Sequence, residues 1–175
     1  MTLELIQDFY QYDRWASERV FAAARGLTPE QFNTPGTAGH GSIRETLIHQ
    51  ISAHRNWFAW WDGSMSQQEA MTNGLDPAGY PDLDAVIGVW EEVQRQTGAF
   101  IESLTDADAE REYTVTFPWS GQTVTFTLTQ MMLHVANHGT QHRSETAAML
   151  TAFNCSPGYL DMLFFLAERQ AALSK

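Results

Sequence analysis

Thr127-Leu-Thr-Gln130-Met-Met-Leu-His134-Val-Ala-Asn-His138-Gly-Thr-Gln-His142-Arg143 opens as a strand ends, and it carries its histidines at the repeat of an α-helix. Thr127 and Gln130 have capping-box spacing, in which a hydroxyl and a side-chain carbonyl each satisfy a backbone donor at a helix start. The spacing predicts a helix from there to about Thr151. Residues four apart on a helix differ by about 40° in azimuth and one turn in height, so neighbouring imidazoles of His134, His138 and His142 share a face. Two such imidazoles can reach one ion.

A third histidine comes from an earlier segment. Ser42-Ile-Arg-Glu45 is another capping box, and the helix it opens carries His49 before the aromatic group Trp57, Trp60 and Trp61, ending near Gly63. His49 shares its face with Glu45, Thr46, Ser52, Ala53 and Trp57. His54 stands about 140° from His49 around the same helix, so the two do not share an ion, and a surface or interface position is expected for it. His40, in the Gly-rich stretch Pro35 to Gly41, is expected to be solvated, although a loop histidine can swing over the site.

Outward from these two segments, periodicity supplies the rest of the fold. Leu5, Phe9, Tyr12, Trp15, Val20 and Phe21 form an apolar stripe on a helix over residues 3–24, which Gly26 stops. Thr28-Pro29 opens a short helical turn. Asp82 or Asp84 caps a third long helix through Trp90 and Ile101 to about Leu104. Between Arg111 and Leu128 the period becomes two, Tyr113, Val115 and Phe117 before Pro118-Trp-Ser-Gly121 and Val124, Phe126 and Leu128 after it, which predicts a β-hairpin. A last helix follows over about residues 159–171. The reading is all-α: an up-down four-helix bundle with a short β-hairpin insert and an additional C-terminal helix, residues 1–175 forming one domain.

Composition limits the function. A chain of 175 residues buries a full core without a metal staple, and its one cysteine, Cys155, excludes an internal disulfide and any sulfur-ligated zinc knuckle. Metal ligands must come from His, Asp or Glu. The formal net charge of −11 repels phosphate backbones and anionic lipid, so no nucleic acid and no membrane partner is expected. With no leader-like start and no apolar run of spanning length, a cytoplasmic location is expected. Glu145, three after His142, stays on the ladder face as a general base, an acceptor that orients an imidazole, a fourth ligand, or a helix salt-bridge partner of Arg143. Arg143 points off that face and is expected to be structural.

The segments Ser42 to His49 with the Trp57 to Trp61 cluster, and Leu133 to Glu145, together with Trp15, resemble the DinB/YfiT-like metalloenzyme superfamily across essentially the whole chain. That resemblance implies a four-helix bundle with metal ligands at His49, His138 and His142, leaving His134 as a neighbour. The family commonly has Gly-Gln after its final His-Arg, where this chain has Ser144-Glu145. Better understood relatives join low-molecular-weight thiols to electrophiles or catalyse a thiol-dependent isomerisation, and relatives are often dimers. The expectation is therefore a divalent-metal enzyme, zinc or nickel, acting on a small electrophilic substrate as a thiol S-transferase or hydrolase, with a low-molecular-weight thiol as cosubstrate, Glu145 as proton acceptor and a homodimeric assembly. The competing class is a non-catalytic metal- or small-ligand-binding stress-response protein.

Overall fold

Four long helices carry the protein in a computed structural model that describes residues 3–117 and 119–174: α1 (Leu3–Ala24), α3 (Ile43–Trp61), α5 (Leu83–Ser103) and α7 (Leu128–Ala152). Each of the last three starts where the sequence supplies a cap. Ser42 and Glu45 exchange hydrogen bonds across the first turn of α3, Thr127 and Gln130 do the same for α7, and the Asp82 side chain accepts from the Ala85 amide at the start of α5. A shorter α2 (Pro29–Asn33) follows its Thr28 cap.

The hairpin forms as the alternation predicts. β1 (Glu112–Thr116) pairs antiparallel with β2 (Thr123–Thr127), Val115 facing Val124. Pro118, assigned to the turn, lies outside the described residues. Two helices are missing from the expected set, α4 (Gln67–Thr72) and α6 (Asp106–Ala109), which are too short to show an apolar period and are marked only by the caps Ser66 with Glu69 and Thr105 with Asp108. The last helix, α8 (Met162–Leu173), begins three residues later than the pattern suggests, with Tyr159 exposed before it.

Packing shows how these helices are arranged. α1 lies against α7 and α5, and α3 lies against the same two, so α1 and α3 occupy one diagonal of the bundle and α5 and α7 the other. Two apolar clusters fill its two ends. One joins Val20 and Phe21 of α1, Ile43 and Leu47 of α3, Val86 and Trp90 of α5 and Leu150 of α7. The other joins Ile6, Phe58, Ile101 and Met132 from the opposite ends of the same helices. It follows that α3 antiparallels α7 while α3 and α5 run the same way, so the four long helices run up-down-down-up; the all-α bundle with its hairpin is as expected, and the simple up-down order is corrected. The connection between them makes this possible by returning along α3: Asn56 Nδ2 donates to the Ala70 and Asn73 carbonyls, Ser52 Oγ accepts from the Leu75 amide, and Arg44 donates to the Pro77 carbonyl.

α8 folds back on α1. Trp15 Nε1 donates to Glu168, Arg19 pairs with the same carboxylate, and Arg169 pairs with Asp8. Among the described residues, no helix is long and apolar enough to cross a membrane.

Candidate metal centre

Between the two apolar clusters, the antiparallel α3 and α7 bring their polar faces together. His49 Nε2 lies 3.3 Å from His138 Nε2, and His142 Nε2 lies 3.1 Å from the same atom. Histidines 89 residues apart in the chain, His49 and His138, thus come together with His142 around one nitrogen. Ligands about 2.0–2.1 Å from a tetrahedral ion stand about 3.3 Å apart, a spacing close to these two separations.

The protonation pattern also fits. Glu145 Oε2 sits 2.6 Å from His142 Nδ1. Burial pushes the Glu145 carboxyl upward, but the hydrogen bonds from His142 and Gln141 outweigh it and hold the group below its usual range. A carboxylate has no proton to donate, so His142 Nδ1 carries the hydrogen and Nε2 turns a lone pair inward. His138 Nδ1 is buried without a partner among the described residues. Burial first, then the neighbouring imidazoles, lowers the His138 pKa to about 3 and the His49 pKa to about 4. Both rings are therefore neutral near pH 7, the form that binds a cation.

The remaining histidines divide. His134 faces Trp57 edge-on, ring centroids 5.9 Å apart, and its own ring is 6.1 Å from that of His138. Together with Trp57, Val115, Phe117, Phe126 and Met131 it lines an apolar cleft of about 360 Å³ between the hairpin and the bundle. A wider groove between α1 and α5, about 610 Å³, holds none of the histidines.

His54 corrects the expectation of a surface position: it is 3% exposed. Its face of α3 turns to α1, where Tyr10 and Asp13 wait, and Nε2 lies 4.0 Å from Asp13 Oδ2. The opposite side of Asp13 pairs with Arg143, which is buried too and donates to Thr140. Arg143 is thereby structural as expected, but its carboxylate partner is Asp13 on α1 and not Glu145. Gly139 leaves room for this pair, because a Cβ there would lie 2.6 Å from Asp13 Oδ1 and 2.9 Å from Arg143 Nη1.

The structure combines the two readings of His40, solvated in its loop and swung over the site. Its ring is exposed yet stacked on His49, centroids 3.5 Å apart at 18°, and it stands edge-on to His142 at 5.1 Å. Composition of the loop gave only the glycines. The signal available in the sequence was Gly39 and Gly41 around His40, directly ahead of the α3 cap.

Comparison with known proteins follows the same residues. The DinB superfamily profile matches residues 12–146. "Protein DinB" of Bacillus subtilis is 22% identical over 167 residues, covering 93% of this chain and 95% of that protein. A Bacillus licheniformis protein named "putative metal-dependent hydrolase" is 26% identical over 109 residues, covering 58% of this chain and 61% of its own length. The profile spans all three converging histidines, Glu145 and the Asp13–Arg143 pair, and on that match the chain belongs to the DinB superfamily.

Proposed function

We propose that the protein is a divalent-metal-dependent enzyme in which His49, His138 and His142 hold the ion. The observation that carries this reading is that His49 Nε2 and His142 Nε2 lie 3.3 and 3.1 Å from His138 Nε2, with a carboxylate behind the His142 ring. Lone pairs aimed at one point repel unless a cation lies between them. Three imidazoles suit zinc and nickel alike, and zinc is the first assignment. A divalent ion bound by three imidazoles supplies a Lewis acid that favours the anionic form of a water or thiol at neutral pH.

The chain's own residues supply orientation and selection. Glu145 fixes the tautomer of His142 and raises its basicity, the arrangement in which a carboxylate tunes a ligand from behind. We also assign Glu145 as the proton acceptor for an incoming nucleophile, a role its partly exposed carboxylate reaches through the His142 ring that it holds from behind. Trp57, Phe117 and Phe126 make the adjoining cleft apolar, and no charged side chain lines it among the described residues. An uncharged, apolar or aromatic electrophile therefore fits better than a phosphate or a carboxylate. The reaction class is transfer of a low-molecular-weight thiol to that electrophile, or its hydrolysis; the name of the Bacillus licheniformis relative supports the hydrolytic branch. The proposal includes a homodimer, for which α8 offers the exposed apolar side chains of Leu163 and Leu173.

Metal analysis of untagged protein tests the reading, with zinc and nickel titrated into stripped samples. One equivalent per chain is expected. His138→Ala should lose that equivalent while keeping a helical circular dichroism spectrum, since the apolar clusters lie to either side of the site. A wild-type protein that binds neither ion would overturn the proposal. With the loaded protein, a panel of apolar electrophiles assayed with and without thiol separates the two reaction branches.

A further inference from the structure

A fourth histidine, His40, stands beside a centre where three suffice for an open site. His40, His49 and His142 can each offer a ring nitrogen within 4.8 Å of the others, and His49 and His142 both converge with His138 as well. The fourth ring does not arrive by chance of a loose loop. Its backbone amide donates to Thr46 Oγ1 at 3.0 Å, and the Gly36 amide donates to the Gly41 carbonyl at 2.9 Å, closing the loop on itself.

The flanking glycines are required by this turn. Gly39 and Gly41 have φ of 70° and 103°, where a side chain is strained. A Cβ at Gly39 would come within 2.4 Å of Thr46 Oγ1, and one at Gly41 within 2.5 Å of Glu45 Oε2. The turn is thus pressed onto the first turn of α3 with His40 at its tip. Yet the His40 side chain is exposed, unlike His142. Its backbone is anchored while its ring keeps a route to solvent.

We propose that His40 is a fourth, reversible protein ligand, whose ring turns from its stack on His49 to occupy the open position of the His49, His138 and His142 site in the metal-loaded resting protein and swings back when a substrate or nucleophile takes that position. The inference rests on the metal reading above. It assigns the loop over residues 34–42 as the element that decides between a closed, four-nitrogen sphere and an open one. No bond is made or broken beyond ligand exchange at the ion.

Cobalt(II) is a suitable probe, because its visible absorption reports both coordination number and donor type. Wild type, His40→Ala and His40→Gln would each be stripped, loaded with cobalt(II) and titrated against a competing chelator. The expected result is that His40→Ala binds the ion on the order of tenfold or more weakly, the scale of losing a supporting interaction at a metal site, and that its visible spectrum changes as a nitrogen gives way to water. Added imidazole should restore the wild-type spectrum in His40→Ala and leave wild type nearly unaltered. Because His40 is exposed, circular dichroism should be unchanged in both variants. Equal affinity, equal spectra and equal imidazole response in wild type and His40→Ala would overturn the fourth-ligand role while leaving the three-histidine site standing. Failure of wild type to bind cobalt(II), zinc or nickel would remove both.

Discussion

Glu145 is the residue at which geometry narrows what spacing left open. At 2.6 Å from His142 Nδ1 it is bonded to the back of a ring whose other nitrogen faces the site. Glu145→Gln keeps an acceptor oxygen but removes the charge. Metal affinity should therefore fall on the order of tenfold with circular dichroism unchanged, which a chelator competition measures. An unaltered affinity would leave the carboxylate only its role at the solvent side of the site. The helical repeat made His138 and His142 legible as a pair, and His49 stood out by its aromatic neighbours. His40 and His54 were not legible for opposite reasons. No periodicity constrains a loop, so the stacking of His40 on His49 exists only in three dimensions. His54 was read from its angle to His49 alone, and the angle does not say that α1 covers that face with Tyr10 and Asp13.

At the scale of elements, capping boxes and apolar stripes located the starts of α3 and α7 and the whole of α1, because those signals are local. The short helices left only their caps, Thr28 with Gln31 for α2, which was read, and Ser66 with Glu69 for α4, which was not, because no apolar stripe follows to extend the signal. The close approach of α1 to α7 was equally hidden, since it depends on Gly139 meeting Asp13 from another helix. Gly139→Ala should lower unfolding free energy by about 1–3 kcal/mol in urea denaturation, overpacking outweighing the better helix propensity of alanine. Gly88 provides the control within α5. A Cβ there meets nothing within 4 Å, so Gly88→Ala should raise stability by about 0.5–1 kcal/mol. If both changes moved stability the same way, the Gly139 contact would not be limiting.

For the molecule as a whole, the imidazoles of His54, His49, His138 and the more exposed His134 link stability to pH. Burial lowers the pKa of His54, partly offset by Asp13, and lowers that of His134; His138 falls to about 3 and His49 to about 4. The unfolded chain takes up protons near pH 6.5 while the folded chain does not, so it binds more protons between about pH 6.5 and about pH 4. Stability of the metal-stripped protein is therefore fully present above that window and is lost as pH falls through it. Urea midpoints measured from pH 8 to pH 4.5 should decline below about pH 6.5; a flat profile would mean that the rings protonate in place. The bundle's arrangement also sets a timetable. α1 meets its main partners only in α5 and α7, and the histidine face of α3 waits for α7. At about 5–20 residues per second, roughly 6–26 seconds of synthesis separate the end of α1 at Ala24 from that of α7 at Ala152. Until α7 emerges, α5 alone of the long helices is there to cover the apolar stripes of α1 and α3, so a chain stalled before residue 128 is expected to leave most of the α1 stripe open to solvent.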